Sequence, residues 1–317
     1  MRVLITGANG MIGRKLAARL RRSGALRDTP LTALHLVDLA AAPSEAPYED
    51  VVVADLGDPD VALDLAARQP DVVFHLAGVV SGEAEADFDK GMRVNLDGTR
   101  ALFDALRTAP GHPRVVFTSS IAVFGAPFPD RIGDSFHLTP LTSYGMQKMV
   151  GEALLADYSR RGFFDGVGIR LPTITVRPGA PNAAASGFFS GIIREPLAGL
   201  PAQLPVSRDV RHPHASPRSA VGYLLHAAAL DTAALGDRRN LTMPSVSVTV
   251  GEQLEALARI AGPGAFDLVA EAADDAVATI VAGWPQRFDT ARANALGFRC
   301  ETSFDQIIEA YLEDDLG

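Results

Sequence analysis

An apolar run at Arg2–Thr6 leads straight into Gly7-Ala8-Asn9-Gly10-Met11-Ile12-Gly13, and from there into apolar residues at helical spacing, Met11, Ile12, Leu16 and Leu20. Each glycine has its own physical reason. Gly7 permits a tight turn, Gly10 lets backbone approach a pyrophosphate, and Gly13 lets the helix lie against the strand. The unpaired N–H groups at the helix start then face the anion. A strand, a glycine turn and a helix as the first unit of a chain constrain its remaining units to strands joined by crossover helices.

The first half keeps that alternation. Strands are predicted at Ala33–Val37, Val51–Ala54, Val72–His75, Arg114–Ser119 and Val167–Leu171, all apolar enough to be buried on both faces. A helix is predicted from Asp58-Pro59, with Pro suited to a first turn. The fold class read from this is α/β: a Rossmann-type doubly wound parallel sheet with a smaller C-terminal substrate domain. Residues 1–172 are expected to form the dinucleotide-binding domain, with 214–245 returning to it. Residues 173–213 and 246–317 are expected to form the substrate domain. There, Thr249-Val250-Gly251-Glu252 and Ser303-Phe304-Asp305-Gln306 have capping-box spacing.

Composition narrows the function classes. Net charge is −9 with no basic block, which disfavours nucleic acid and anionic membrane as partners. Cys300 is the only cysteine, so no intramolecular disulfide can form and no cysteine zinc site is expected. No apolar stretch approaches a membrane span, and a cytoplasmic location is expected.

The cofactor reading rests on strand ends. Asn9, Met11 and Ile12 complete the glycine loop. Asp38 ends the second strand, where a carboxylate bonds ribose hydroxyls and repels a 2′-phosphate, so NAD is expected rather than NADP. Asp55-Leu56 follows the third strand at the adenine edge, and Asp55 reads almost equally well as a turn residue. Leu76-Ala77-Gly78 ends the fourth strand, and small residues there admit a close approach. Asn95, Thr118, Leu171 and Thr173 complete the expected cofactor set.

Tyr144 and Lys148 lie at i and i+4, on one side of a helix. A phenol with a pKa of about 10 is a poor base at neutral pH. A nearby ammonium and a positive nicotinamide ring lower that value. Ser119 and Ser120 end the preceding strand, and either hydroxyl can hold a substrate oxygen beside the phenol.

These motifs together resemble the extended short-chain dehydrogenases/reductases of the NAD-dependent epimerase/dehydratase group. The matching residues are Thr6-Gly7-x-x-Gly10-x-x-Gly13, Asp38, Asp55, His75-Leu76-Ala77, Asn95, Ser119-Ser120 and Tyr144-x-x-x-Lys148. The resemblance implies Tyr144 as acid/base, Lys148 as its pKa modifier and ribose ligand, and Ser120 or Ser119 as the substrate-orienting hydroxyl. Thr118-Ser119-Ser120 lacks the carboxylate of the dehydratase branch. Arg208-Asp209-Val210-Arg211-His212 departs from the Arg-Asp-aromatic-x-His segment of nucleotide-sugar epimerases. Arg170–Gly179, Pro181–Ser186 and Ile280–Pro285 resemble the D-erythronate dehydrogenases, with short-chain L-threonine dehydrogenases close by. That implies oxidation of the C2 hydroxyl of a four-carbon sugar acid. Arg177 and Arg211 are candidates for the substrate carboxylate; Ser81, Thr173 and Asn182 are candidates for hydroxyls. His212 and His214 lack a third ligand, so no metal is expected and a loop pair at the substrate mouth is. A homodimer is expected through helices near Ala86–Thr108 and Ser143–Arg161, with Leu96, Leu102, Phe103, Met149, Leu154 and Leu155 as candidates for the shared face.

Overall fold

The computed structural model describes residues 1–179 and 185–316. Seven parallel strands form the main sheet: β1 (Arg2–Thr6), β2 (Ala33–Asp38), β3 (Glu49–Val53), β4 (Val72–His75), β5 (Arg114–Ser120), β6 (Asp165–Leu171) and β7 (Asn240–Thr242). Their spatial order is β7-β6-β5-β4-β1-β2-β3. The order reverses between β1 and β4, and ligands of such sheets bind outside the strand carboxyl ends at that point. Apolar residues fill both faces. Val3, Ile5, Leu34 and Phe74 pack on one side. Leu4, Val37, Val73 and Phe117 pack on the other. The third strand departs from the expectation of full burial: it is an edge strand, and Val53 is 61% exposed.

Helix α1 (Met11–Ser23) follows the glycine turn, and α2 (Pro59–Ala67) starts as expected, with Asp58 accepting from the Asp60 N–H and Pro59 in the first turn. A helix running from Phe88 to Thr108 is wound as a π-helix over Met92–Gly98, and Asn95 lies in that stretch. α3 (Ser143–Arg160) carries Tyr144 and Lys148.

A second apolar cluster belongs to the C-terminal part. It joins Val176, Phe189 and Ile193 to residues of α4 (Val250–Ala261) and α5 (Phe304–Tyr311). The Thr249 capping box is complete in both arms. Ser303 accepts from the Gln306 N–H, but the Gln306 side chain turns to the Thr302 N–H, so the second box is half made. Between the two parts lies a three-stranded sheet of Thr173–Ile174, Arg211–Ala215 and Val246–Thr249, with Arg211–Ala215 at its centre. Among the described residues no helix is long and apolar enough to cross a membrane.

Candidate active site

The glycine turn is shaped by close approach. Gly7 has φ +73°, and a Cβ there would lie 2.8 Å from the Ala77 backbone N. At Gly13 a Cβ would fall 2.1 Å from the Gly7 carbonyl oxygen. Gly10 is exposed and caps α1 without a side-chain hydrogen bond, and no acidic residue occupies the first turn with Met11 and Ile12. The N–H groups there are open to an anion. Asp38 ends β2 beside the turn and accepts from the Asn9 N–H at 2.9 Å. The cradle and the adjacent carboxylate fit a dinucleotide with a free ribose diol.

The floor of this edge is a polar hydrogen-bonded network in which, among the described residues, the Gln147 amide nitrogen alone is left without a partner. The buried Thr6 hydroxyl meets His75 Nδ1 at 2.8 Å, and His75 Nε2 meets the Thr99 hydroxyl at 2.9 Å. Burial, with Lys148 nearby, pushes the His75 imidazole down to about 3. Thr99 donates to the Asn95 carbonyl at 2.7 Å. The Asn95 amide accepts from the Val79 N–H at 2.8 Å and donates to the Val79 carbonyl at 3.1 Å and to Gln147 at 2.8 Å. Asn95 thus clamps the chain just after Leu76-Ala77-Gly78, and a Cβ on Gly78 would meet its Oδ1 at 2.8 Å.

Lys148 is buried and donates to the Thr118 carbonyl at 2.9 Å. Burial lowers its ammonium to about 8. Its Nζ lies 5.8 Å from the centre of the Tyr144 ring. Burial raises the Tyr144 phenol, opposed by a hydrogen bond from Ser120 and by the charge of Arg177. Arg177 therefore acts on the phenol alongside Lys148, whose ammonium is anchored to β5.

Consecutive residues of a strand point to opposite faces, and this separates the two serines. Ser119 is buried and donates to Glu152 at 2.5 Å; Glu152 is itself paired with Arg170 at 2.7 Å. Ser120 is partly exposed on the Tyr144 side. Leu171 pairs with Ser120 in register across β5 and β6. The Thr118 hydroxyl is bonded to the His75 carbonyl at 3.0 Å. Arg177 donates to the Ile174 carbonyl at 3.0 Å and to Ser186 at 3.2 Å, and burial lowers its pKa. Among the described residues no carboxylate acts on it.

Residues 3–216 match the NAD dependent epimerase/dehydratase family. The chain is 48% identical to D-erythronate dehydrogenase of Cupriavidus necator, over 99% of this chain and 98% of that one. It is 38% identical to D-erythronate dehydrogenase of Haemophilus influenzae over 100% of both. The solved structure of a nucleoside-diphosphate-sugar epimerase from Agrobacterium tumefaciens superposes with a TM-score of 0.98. It shares 56% identity, over 100% of this chain and 95% of that one. The chain belongs to the NAD dependent epimerase/dehydratase family.

Several expected site residues of this family member stand elsewhere. Both Asp55 oxygens are engaged, one by the Gly57 N–H at 2.8 Å and one by Arg93 at 2.6 Å, and Arg93 holds its carboxyl below the usual range. Asp55 thus braces the turn after the third strand, with buried Leu56 beside it. Arg211 pairs with Glu252 at 3.1 Å and donates to the Ser247 carbonyl at 2.7 Å, so it is committed to the small sheet. Ser81 opens a short helix, Ser81–Ala86, and is partly exposed. Asn182 lies outside the described residues. His212 and His214 are strand residues, not a loop pair. Both are buried, bonded to Thr173 at 2.6 Å and Thr175 at 3.1 Å. Sequence reasoning missed the Glu152–Arg170 pair and the His75 bridge, because neither a buried charge nor a buried imidazole has a local sequence signal of its own.

Proposed function

We propose that this chain oxidises the C2 hydroxyl of D-erythronate to 2-dehydro-D-erythronate with NAD. The observation that carries this is Arg177: a guanidinium with no carboxylate of its own among the described residues, close enough to the Tyr144 phenol to shift it. A guanidinium so placed binds a substrate carboxylate bidentately while the phenol meets the neighbouring C2 hydroxyl. The two D-erythronate dehydrogenases that match from end to end supply the substrate.

NAD, when bound, supplies the hydride acceptor and a positive ring that lowers the phenol's pKa. The glycine turn, Asp38 and Lys148 hold it. Tyr144, as phenolate, takes the C2 hydroxyl proton. Ser120 donates to the oxygen as it becomes a carbonyl, and Arg177 fixes the carboxylate. Ser119 stays with Glu152 and takes no part in the chemistry. The division into a dinucleotide domain and a substrate domain is part of this reading, as is a cytoplasmic homodimer. Leu96, Met149 and Leu154 are partly exposed and serve a shared face; Leu102, Phe103 and Leu155 are in the core.

The epimerase name of the 56% identical structure favours a second reading, a nucleotide-sugar substrate. Against it, His212 is buried and bonded to Thr173, which leaves it unavailable to a nucleotide. Trapping the product as a hydrazone tests the reading: a 2-keto acid from D-erythronate supports it, and a C3 ketone or no product overturns it.

A further inference from the structure

Thr173 lies two residues past the end of β6, and its hydroxyl is 2.6 Å from His212 Nε2. His212 is 2% exposed. Its ring stacks on Phe189 at 5.0 Å and 6° and meets Trp284 at 5.3 Å. Burial pushes this imidazole down to about 3, with the Pro285 backbone working in the opposite direction. The ring is therefore neutral near pH 7, and a neutral imidazole has one donor nitrogen and one acceptor nitrogen.

Nδ1 has no hydrogen-bond partner among the described residues, so the Thr173 hydroxyl is the one polar group that holds the ring through a hydrogen bond. In either tautomer the Thr173 hydroxyl keeps hydrogen-bonding capacity that His212 does not use, because a hydroxyl both donates and accepts. The same segment holds the guanidinium, since Arg177 Nε is tied to the Ile174 carbonyl at 3.0 Å.

We propose that His212 is a positioning residue that holds the Thr173 hydroxyl as the hydrogen-bond partner of a non-reacting hydroxyl of the substrate. The proposal rests on the sugar-acid reading of the site. It gives the site a way to require a hydroxyl next to the reacting carbon, because an analogue without one leaves Thr173 unpaired.

The experiment compares wild type, His212→Phe and His212→Gln on D-erythronate and its 3-deoxy and 4-deoxy analogues, with NAD affinity measured alongside. Phe keeps the stacked ring and removes the bond to Thr173; Gln restores a hydrogen-bonding side chain. Wild type is expected to lose about tenfold or more in kcat/KM on the analogue that lacks the bonded hydroxyl. His212→Phe is expected to lose a similar factor on D-erythronate, chiefly in KM, and less than about twofold on that analogue. His212→Gln is expected to recover most of the loss, and NAD affinity to hold. An equal loss on all three substrates, or no recovery with Gln in a folded enzyme, overturns the proposal. If His212→Phe does not fold, Thr173→Val must show the same selectivity, and its absence overturns the proposal equally. No turnover of D-erythronate by wild type overturns the underlying reading; turnover without discrimination among the three overturns this inference alone.

Discussion

At the scale of single residues, the site is a set of groups whose ordinary chemistry is altered by what surrounds them. Burial lowers the His75, His212 and His214 imidazoles so far that they are poor proton acceptors, and the phenol of Tyr144 is left for the substrate proton. Tyr144→Phe should therefore lower kcat by roughly 10²- to 10⁴-fold, the range for loss of a positioned acid/base, with NAD binding retained. Steady-state rates alongside a titration with NADH check this, and retained turnover removes Tyr144 from the mechanism. Asp38 is the one acidic side chain bonded to the glycine turn among the described residues. Asp38→Ala should weaken NAD by about 1.5–3 kcal/mol, the worth of a hydrogen bond to a charged group, and narrow the preference for NAD over NADP. Unchanged kinetics with both cofactors would contradict the assignment.

At the scale of elements, β5 decides what two adjacent serines do. A strand turns alternate side chains to opposite faces, so Ser120 meets the phenol and Ser119 meets Glu152. Ser120→Ala should cost about 10²-fold or more in kcat, as removal of a donor to a developing oxyanion does, with little change in stability. Ser119→Ala should do the reverse: it leaves Glu152 and Arg170 buried with one partner fewer, and lowers the melting temperature while kcat is nearly kept. Reversal of the two phenotypes would contradict the strand register. The elements themselves were largely legible. α1 follows the glycine turn over the span that its periodicity predicts, and strand ends fell within a few residues of the observed ones. The alternation of Ser119 and Ser120 was not legible, because two polar neighbours at a strand end carry no hydrophobic pattern to set the phase. The partners of Asp55 and Arg211 were not legible for a related reason: Arg93 and Glu252 lie 38 and 41 positions away in the chain, and sequence spacing does not show such pairs.

At the scale of the molecule, the buried imidazoles make stability depend on pH. His75 and His212 titrate at about 3 in the folded chain, and His214 well below its ordinary value. The unfolded chain, with values of about 6.5, binds more protons between about pH 3 and pH 6.5. Stability therefore falls as pH falls through that window, by up to about 4 kcal/mol per pH unit if all three contribute. Urea melts at pH 7 and pH 5 check the sign: a lower midpoint at pH 5 is expected, and an equal or higher one contradicts the buried neutral rings. The doubly wound parallel sheet was readable from the strand-helix alternation. The small sheet that brings His212 to Thr173 was not, because it joins residues from three distant stretches.

Oxidation of a four-carbon sugar acid with NAD is tested by NADH formation when the purified protein is given NAD and D-erythronate, with L-threonine and a UDP-sugar offered in parallel. NADH is expected from D-erythronate alone, and none from Tyr144→Phe. NADH from L-threonine, or conversion of the UDP-sugar without net NADH, would contradict it.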